Sequence, residues 1–555
     1  MRAAPYIALV GDDEVFNKFT HTRRDLDALD LEIECNDGEL PVIRMRVKNP
    51  RTPISALLNK RVFLSSAGKL IADATLSSVP RGAVGRTVDL EAVARPADLD
   101  ELLALLAEDM KQAPFWDTLF VPQGSEDDWA EILAGRSSIL AYSRTGGVSV
   151  VDALSGSTNL SILPHTDSIS YDRQPVAPSF GIELTAKWKQ AVRQVFNLHS
   201  GNVFRDFTTA NMSDIKSGFP RAGMGIGSGF SVIRGSAAQK MLVFKPVETK
   251  HSRFGTTPGN ELDPAFDGRL EKQYLTVAEM DLSLSIEHNF ETNRTETSEF
   301  SFPVSLQDGA AEGEEEIETV ALRDISERSS ASSWQANKDY NEGDEVVDGS
   351  SVYTAREDHY SGSSRDAAKW SLSGETSYLS SRRVSSFFRS TRGQQALAHA
   401  VERVRARARV ASRCVTVEFE CDMPDPSLIT EDCTATIAHP LIPGGSVNGR
   451  LIGYSLFWSN GRQWMSGTIA ACPGTDAGED LAIEVESGTP KSVEGRIDVS
   501  IENAGAEQAA AFLSGETPGP TKITIKATPA TSGDFEHEVF VSISGSVEVP
   551  QGVNI

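Results

Sequence analysis

Long apolar runs are missing from this sequence. The start, MRAAPYIALVGDDEVF, has one early Arg and an apolar stretch of only Tyr6 to Val10 before Gly11-Asp12-Asp13. That is shorter than the apolar region of a secretory signal, and nothing elsewhere approaches the ~20 residues that cross a bilayer. The expectation is a chain made in a host cytoplasm, with no membrane span. Cysteine is scarce. Cys35, Cys414, Cys421, Cys433 and Cys472 form an odd set with no CxxC pair and no His at ligand spacing. This argues against a zinc site and against a disulfide framework, so buried reduced thiols are expected. Basic charge is also short: 53 Lys and Arg stand against 78 Asp and Glu, a net charge of −25. Such a surface repels phosphate backbones at long range, which counts against nucleic-acid binding. HExxH and GxSxG do not occur, so the sequence supports neither a zinc hydrolase nor a serine hydrolase.

Strand signals are abundant. A chain of 555 residues should divide into several domains. Leu29, Leu31, Ile33 and Cys35 alternate with Asp30, Glu32 and Glu34, and Val42 to Val47 returns after the Asn36-Asp37-Gly38 turn, which predicts a hairpin with one wet face. Val62 to Ser65 and Leu70 to Leu76 read as two more strands. A helix is expected after Asp98 as N-cap, burying Leu102, Leu103, Leu105 and Leu106 and ending before Pro114. Strands are expected from Val176 to Val304, broken by a helix-like stretch at Lys187 to Phe196. Gly309 to Glu318 reads as an acidic loop, and QQALAHAVERVRARARVASR as a long helix after Gly393. Val415 to Val549 alternates again, as a β-barrel or sandwich followed by a smaller β-domain. The fold class expected is mainly β with a few helices (α+β), multidomain, with a small inserted β-module.

Three patterns mimic chemistry. Asp27, Asp30, Glu32 and Glu34 give DxxDxExE, near a chitinase signature whose carboxylates protonate a glycosidic oxygen. Only 26 residues precede it, too few for the βα units such a strand requires, so an acidic solvated strand face is the better reading. Gly223, Gly225, Gly227 and Gly229 lack both GxGxxG spacing and a GK[ST] ending, and read as a loop between strands. Arg403, Arg405, Arg407 and Arg409 are spaced by two on a helix and spread over more than one face. They fit equally a neighbouring acidic subunit or ion pairs within the chain. No catalytic residue, metal ligand or cofactor is assigned.

Ser333 to Trp370 carries a denser pattern: Trp334, five residues, Tyr340, two residues, Gly343-Asp-x-Val, a turn at Gly349, Tyr353-Thr-Ala, and Trp370. That order resembles the small β-sheet carbohydrate-binding modules of chitinases, cellulases and some phage tail proteins. The resemblance implies a polysaccharide partner, held through exposed aromatic rings. In those modules an aromatic pair follows the Tyr-Thr-Ala-x step; here Glu357 and Asp358 stand there, then His359 and Tyr360. A domain this small needs Tyr353 and Trp370 inside, which leaves Trp334, Tyr340 and Tyr360 as the carbohydrate contacts.

A second resemblance covers most of the chain. The N-terminal hairpin, KRVFLSS, LIADATLSSVPRG and TVDLEAVARPADLDELLALLAEDMKQAPFWDTLF occur in an order similar to the start of tailed-phage baseplate hub proteins. RGQQALAHAVERVRARARVASRCVTVEFEC follows the same order, leading to a strand that ends in His439-Pro440 and to Gly449-Arg450-x-x-Gly453-Tyr454. The resemblance implies a non-enzymatic homotrimeric ring of tube-like β-domains at the tail tip of a virion. Its partners would be tail tube, distal tail, and tip or fibre proteins, with a host surface polysaccharide met by the module. The implied units are residues 1–175 and 176–327 as β-rich hub domains, 328–381 as the insertion, 382–475 as helix plus barrel, and 476–555 as a small β-domain. A stand-alone glycan-binding adhesin is the alternative, with a carbohydrate-active hydrolase behind it.

Overall fold

A computed structural model describes residues 4–48, 56–78, 86–122, 124–200, 209–227, 229–247, 273–304, 312–323, 332–349, 351–375, 386–474, 482–487, 496–502, 522–528 and 535–544, with a few single residues between. The fold is mostly β, in several sheets. The first part runs β1 (Tyr6–Val10), β2 (Ala28–Asn36), β3 (Val42–Lys48), β4 (Arg61–Ser66), β5 (Lys69–Ser78) and β6 (Thr87–Val93). Leu31, Ile33 and Cys35 point inward from β2, while Glu32 and Glu34 face Arg44 across the β2–β3 ladder. The hairpin and its wet face are therefore as expected. Gly38, at φ 75°, makes the turn in a conformation that other residues rarely adopt.

Next come α1 (Leu99–Met110), α2 (Trp129–Leu133), β7 (Ser138–Tyr142), β8 (Val148–Asp152), β9 (Thr158–Ile162) and β10 (Pro164–Arg173). In α1 the buried residues are Leu99 and Ala107; Leu105 is exposed, and Asp98 makes no side-chain cap. The buried face of α1 is thus rotated from the one the leucine run suggested.

A long ribbon follows: β11 (Ser179–Ser200), α3 (Thr209–Gly218), β12 (Gly225–Gly227), β13 (Phe230–Val247), β14 (Gln273–Pro303) and β15 (Glu316–Ala321). The 31 residues of β14 would extend roughly 100 Å at ~3.3 Å per residue. β11 pairs antiparallel with β14 from Ser179↔Pro303 to Ser200↔Leu282. Lys187 to Phe196 is strand throughout, not the helix-like break expected. Nor is all of Gly309–Glu318 loop: Glu316 opens β15, which pairs parallel to β11, while residues 309–311 lie outside the described set.

Then come β16 (Ser332–Ser333), β17 (Asp339–Tyr340), β18 (Glu345–Asp348), β19 (Ser351–Ala355), β20 (His359–Tyr360) and β21 (Trp370–Glu375). α4 (Thr391–Ala411) begins two residues before Gly393, capped by Ser390, whose Oγ accepts from the Gly393 N–H at 3.0 Å. Then β22 (Val415–Asp422), β23 (Cys433–Ala438), β24 (Ser446–Ser459) and β25 (Arg462–Ala471) return to the first sheet. The main path of that sheet is β1-β4-β5-β6-β3-β2-β24-β25-β22-β10, with β23 beside β24 and β9. Segments 1–175 and 382–475 therefore share one sheet. β26 (Ala482–Ser487), β27 (Arg496–Glu502), β28 (Lys522–Thr528) and β29 (Phe535–Ser544) complete the chain; β29 pairs with β14.

One apolar core joins the large sheet, the buried face of α4 and the base of the ribbon through residues such as Ile33, Leu451, Leu397, Val404, Trp188 and Phe302. A separate core at the far part of the ribbon packs Met212 and Ile215 of α3, and Phe219 just beyond it, on Phe230, Leu282 and Ile286. The Gly-Arg-x-x-Gly-Tyr pattern has a structural cause. Arg450 is fully buried and donates to Asp37 Oδ1 (3.0 Å), the Glu431 carbonyl (2.8 Å) and the Asp152 carbonyl. A Cβ on Gly449 would stand 2.5 Å from the Ala470 carbonyl oxygen. All five cysteines are buried free thiols.

Candidate binding module

The module at 332–375 builds its own small core. Val346 of β18 and Ala355 of β19 turn inward to meet Tyr340 and Trp370, and Trp370 opens β21, the last strand of the sheet order β16-β18-β19-β21. β17 and β20 pair separately, with Tyr340 opposite His359 and Asp339 opposite Tyr360. The rings of Tyr340 and His359 both meet Trp370 edge-on, with centroids 5.0 and 5.1 Å away. Such T-shaped contacts add to the area the rings bury. The cluster contains residues of the module alone.

The structure divides the sequence-assigned residues. Tyr360 is 63% exposed and projects from β20. Trp334 is half-buried and packs against the core. Tyr340, read as a contact, is 3% exposed: its ring lies inside the module. The cause is a local lock, since the hydroxyl accepts from the Gln335 N–H at 2.7 Å and donates to the Gln335 carbonyl at 3.3 Å. Ser361 braces the same strand, donating to the Gln335 carbonyl and accepting from the Lys338 N–H, both at 2.9 Å. Trp370 is 3% exposed, and Tyr353 is partly buried with the Arg365 guanidinium 3.6 Å from its ring centroid. Arg365 is held in turn by Asp348 at 2.9 Å. Sequence reasoning names His359 without giving it a role and does not single out Arg365. Alternation along β20 was the available signal, because it must turn His359 in when Tyr360 points out.

The other patterns resolve into structure. Asp30, Glu32 and Glu34 lie on β2 facing Arg44 and Arg46 of β3, with Glu34 2.6 Å from Arg44. Gly225 to Gly227 is a short strand paired with β13. Arg403 joins Glu131 (2.8 Å) and Glu318 (2.7 Å), while Arg407 joins Glu316 (2.5 Å) and Glu318 (3.0 Å). Arg403 and Arg407 thus fasten α4 to α2 and β15 within the chain, while Arg405 pairs with Glu402 of α4 itself. No helix among the described residues is long and apolar enough to cross a membrane.

No protein-family model and no curated protein matches this chain. Among solved structures it is similar to the tail protein from Neisseria meningitidis MC58, at 8% identity and TM-score 0.34, covering 84% of this chain and 96% of that one. It is similar also to the 43 kDa tail protein of prophage MuSo2 from Shewanella oneidensis, at 7% identity and TM-score 0.35, covering 84% and 98%. A third is the E. coli c3393 protein, a type VI secretion system component described as structurally similar to bacteriophage T4 tail proteins gp27 and gp5. Here the identity is 8% and the TM-score 0.22, over 84% and 76%.

Proposed function

We propose that this chain is a structural hub of a phage or phage-like tail, assembling as an oligomeric ring at the tail tip. It would join the tail tube to host-contacting parts, with the module as a peripheral contact for a cell-surface polysaccharide. One observation carries the reading. The two stretches that resemble baseplate hub proteins lie hundreds of residues apart, yet β2 and β24 pair from Asp30↔Ser459 to Asn36↔Gly453. The regions between them form a ribbon and a module with a core of its own, as expected of insertions into one scaffold. The role is structural rather than catalytic. Multi-angle light scattering of the purified chain tests it. A discrete species near three times 59.9 kDa is expected; a strict monomer at all concentrations would favour the lone adhesin.

A further inference from the structure

Cys414 and Cys472 meet at one end of the large sheet. β22 and β25 pair antiparallel in an unbroken register from Asp422↔Trp464 to Val415↔Ala471. One further step in that register sets Cys414 opposite Cys472, on the same face of the two strands. Residues opposed in this way have Cα atoms ~4.5–5.5 Å apart, within the ~4.4–6.8 Å that a disulfide spans. Both side chains are buried, at 2% and 4% exposure, and both are free thiols.

The surroundings hold the two sulfurs near each other. Ser412, the C-cap of α4, places its hydroxyl 3.5 Å from Cys472 Sγ. The N–H of Gln174, just after β10, donates to the Cys414 carbonyl at 2.8 Å. Two residues beyond Cys472, Gly474 makes a bridge to Leu306. Burial pushes the Cys472 thiol up to about 11; Cys414 lies close enough to add to that rise, while Ser412, Arg413 and Arg409 work against it. In the strand registers none of the other cysteines is opposed to a second one: Cys35 lies against Tyr454, Cys421 against Met465 and Cys433 against Thr158.

We propose that Cys414 and Cys472 are a disulfide site, open in this reduced form of the chain and closed when the protein meets a small-molecule disulfide. One protein thiolate attacks a sulfur of that oxidant and releases its first half. The second thiolate then attacks the protein sulfur of the mixed disulfide and releases the other half. Each protein thiol gives up its proton to a released half, so one disulfide forms in the protein and the oxidant leaves as two thiols. The pair lies one step past the last ladder pair, where a strand end opens most easily, so the buried sulfurs can be reached. The bond staples the α4–β22 corner to the point where the chain leaves the large sheet for β26 to β29. It also closes a loop that carries β22 to β25, which restricts the unfolded chain. Closure belongs to an oxidising compartment and reopening to a reducing one. It needs no second copy and is independent of the oligomeric reading above.

Thiol titration of the full chain tests the site. The reduced chain, once unfolded, should show five reactive thiols. After the folded chain is incubated with oxidised glutathione, quenched with acid and unfolded, three should remain of the five. Peptide mapping should then find Cys414 linked to Cys472, and a non-reducing gel no link between chains. Cys414→Ala and Cys472→Ala should each show four thiols before and after the same treatment, one fewer than the five of the unaltered chain. The oxidised unaltered chain should also melt above its reduced form, a rise that dithiothreitol removes. Five thiols after oxidation of the folded chain, a stable glutathione adduct in place of the link, or a link between any other pair overturns the site. Cys414 and Cys472 would then be thiols packed as small apolar side chains. The count on the unaltered chain decides even where a variant fails to fold.

Discussion

Glu296 shows how far one side chain departs from its type. It sits on β14 with no exposed surface, and its Oε2 accepts from the Phe387 and Phe388 N–H groups at 2.8 and 3.2 Å. Burial pushes its carboxyl up to about 7, against the lowering effect of those hydrogen bonds. A raised folded-state value means the folded chain holds this proton more tightly than the unfolded one. Its contribution to stability is therefore complete below about 4.5 and lost as pH rises through about 7, on the order of 3 kcal/mol. Asp37, raised by burial to about 6, acts with the same sign at lower pH. The unaltered chain should thus melt lower at pH 8 than at pH 5.5. Glu296→Gln should melt higher than the unaltered chain at pH 8 and keep only the weaker slope left by Asp37. Thermal melts across this range check it, and an unchanged slope in the variant would remove Glu296 as the cause. Tyr360 offers a surface counterpart. Tyr360→Ala should leave the melt unchanged and weaken retention on insoluble chitin about tenfold, ~1.4 kcal/mol. Equal retention would dismiss this ring as a sugar contact. The outward place of Tyr360 could be read from the sequence; the inward place of Tyr340 could not, because it depends on a hydroxyl reaching Gln335 around a turn.

At the scale of elements, what was legible followed the partner each element had. The β2–β3 hairpin was readable because both strands are local and one face of each is apolar. α4 was readable because Ala396, Leu397, Ala400, Val401, Val404 and Ala408 repeat at helical spacing and are all buried. β11 was misread for the same reason. Trp188, Ala191, Val192, Val195 and Phe196 also repeat at three and four, yet a partner strand some hundred residues away overrides that local period. Pairing with β14 buries Trp188 and leaves Val195 exposed, the alternation of a strand. The acidic run was misread because its charge is answered elsewhere in the chain: Glu316 and Glu318 meet arginines of α4. Such a partnership is costly to break from one side, since the carboxylates left behind stay partly buried. Arg403→Ala should destabilise by about 3 kcal/mol and raise amide exchange first in β15 and α2. A loss below ~0.5 kcal/mol in denaturant titration would mean that the pair is no more than a screened surface contact.

At the scale of the molecule, the question is whether the module is cargo or part of the frame. Its two flanks return to nearly the same point on the ribbon. Ile325 donates its N–H to the Lys187 carbonyl at 3.0 Å, while Phe387 and Phe388 hold Glu296. Glu296 is the register partner of Ala186, the neighbour of Lys187. Chain ends that lie this close mark a site where a segment can be inserted or removed without straining the scaffold. The separate core of the module fits the same picture, as does its link to α1 through Arg356 and Glu108, a partly exposed ion pair worth little on its own. Replacing residues 332–375 by a short Gly/Ser linker should therefore leave the remaining sheet folded. The shortened chain should keep its melting midpoint within about 2 °C and the same number of copies per particle, and lose retention on polysaccharide. Loss of assembly on excision would make the module part of the ring. Retention that survives excision would move the sugar site to the body of the chain, where the half-exposed Phe457–Trp464 stack on β24 and β25 would be the place to look next.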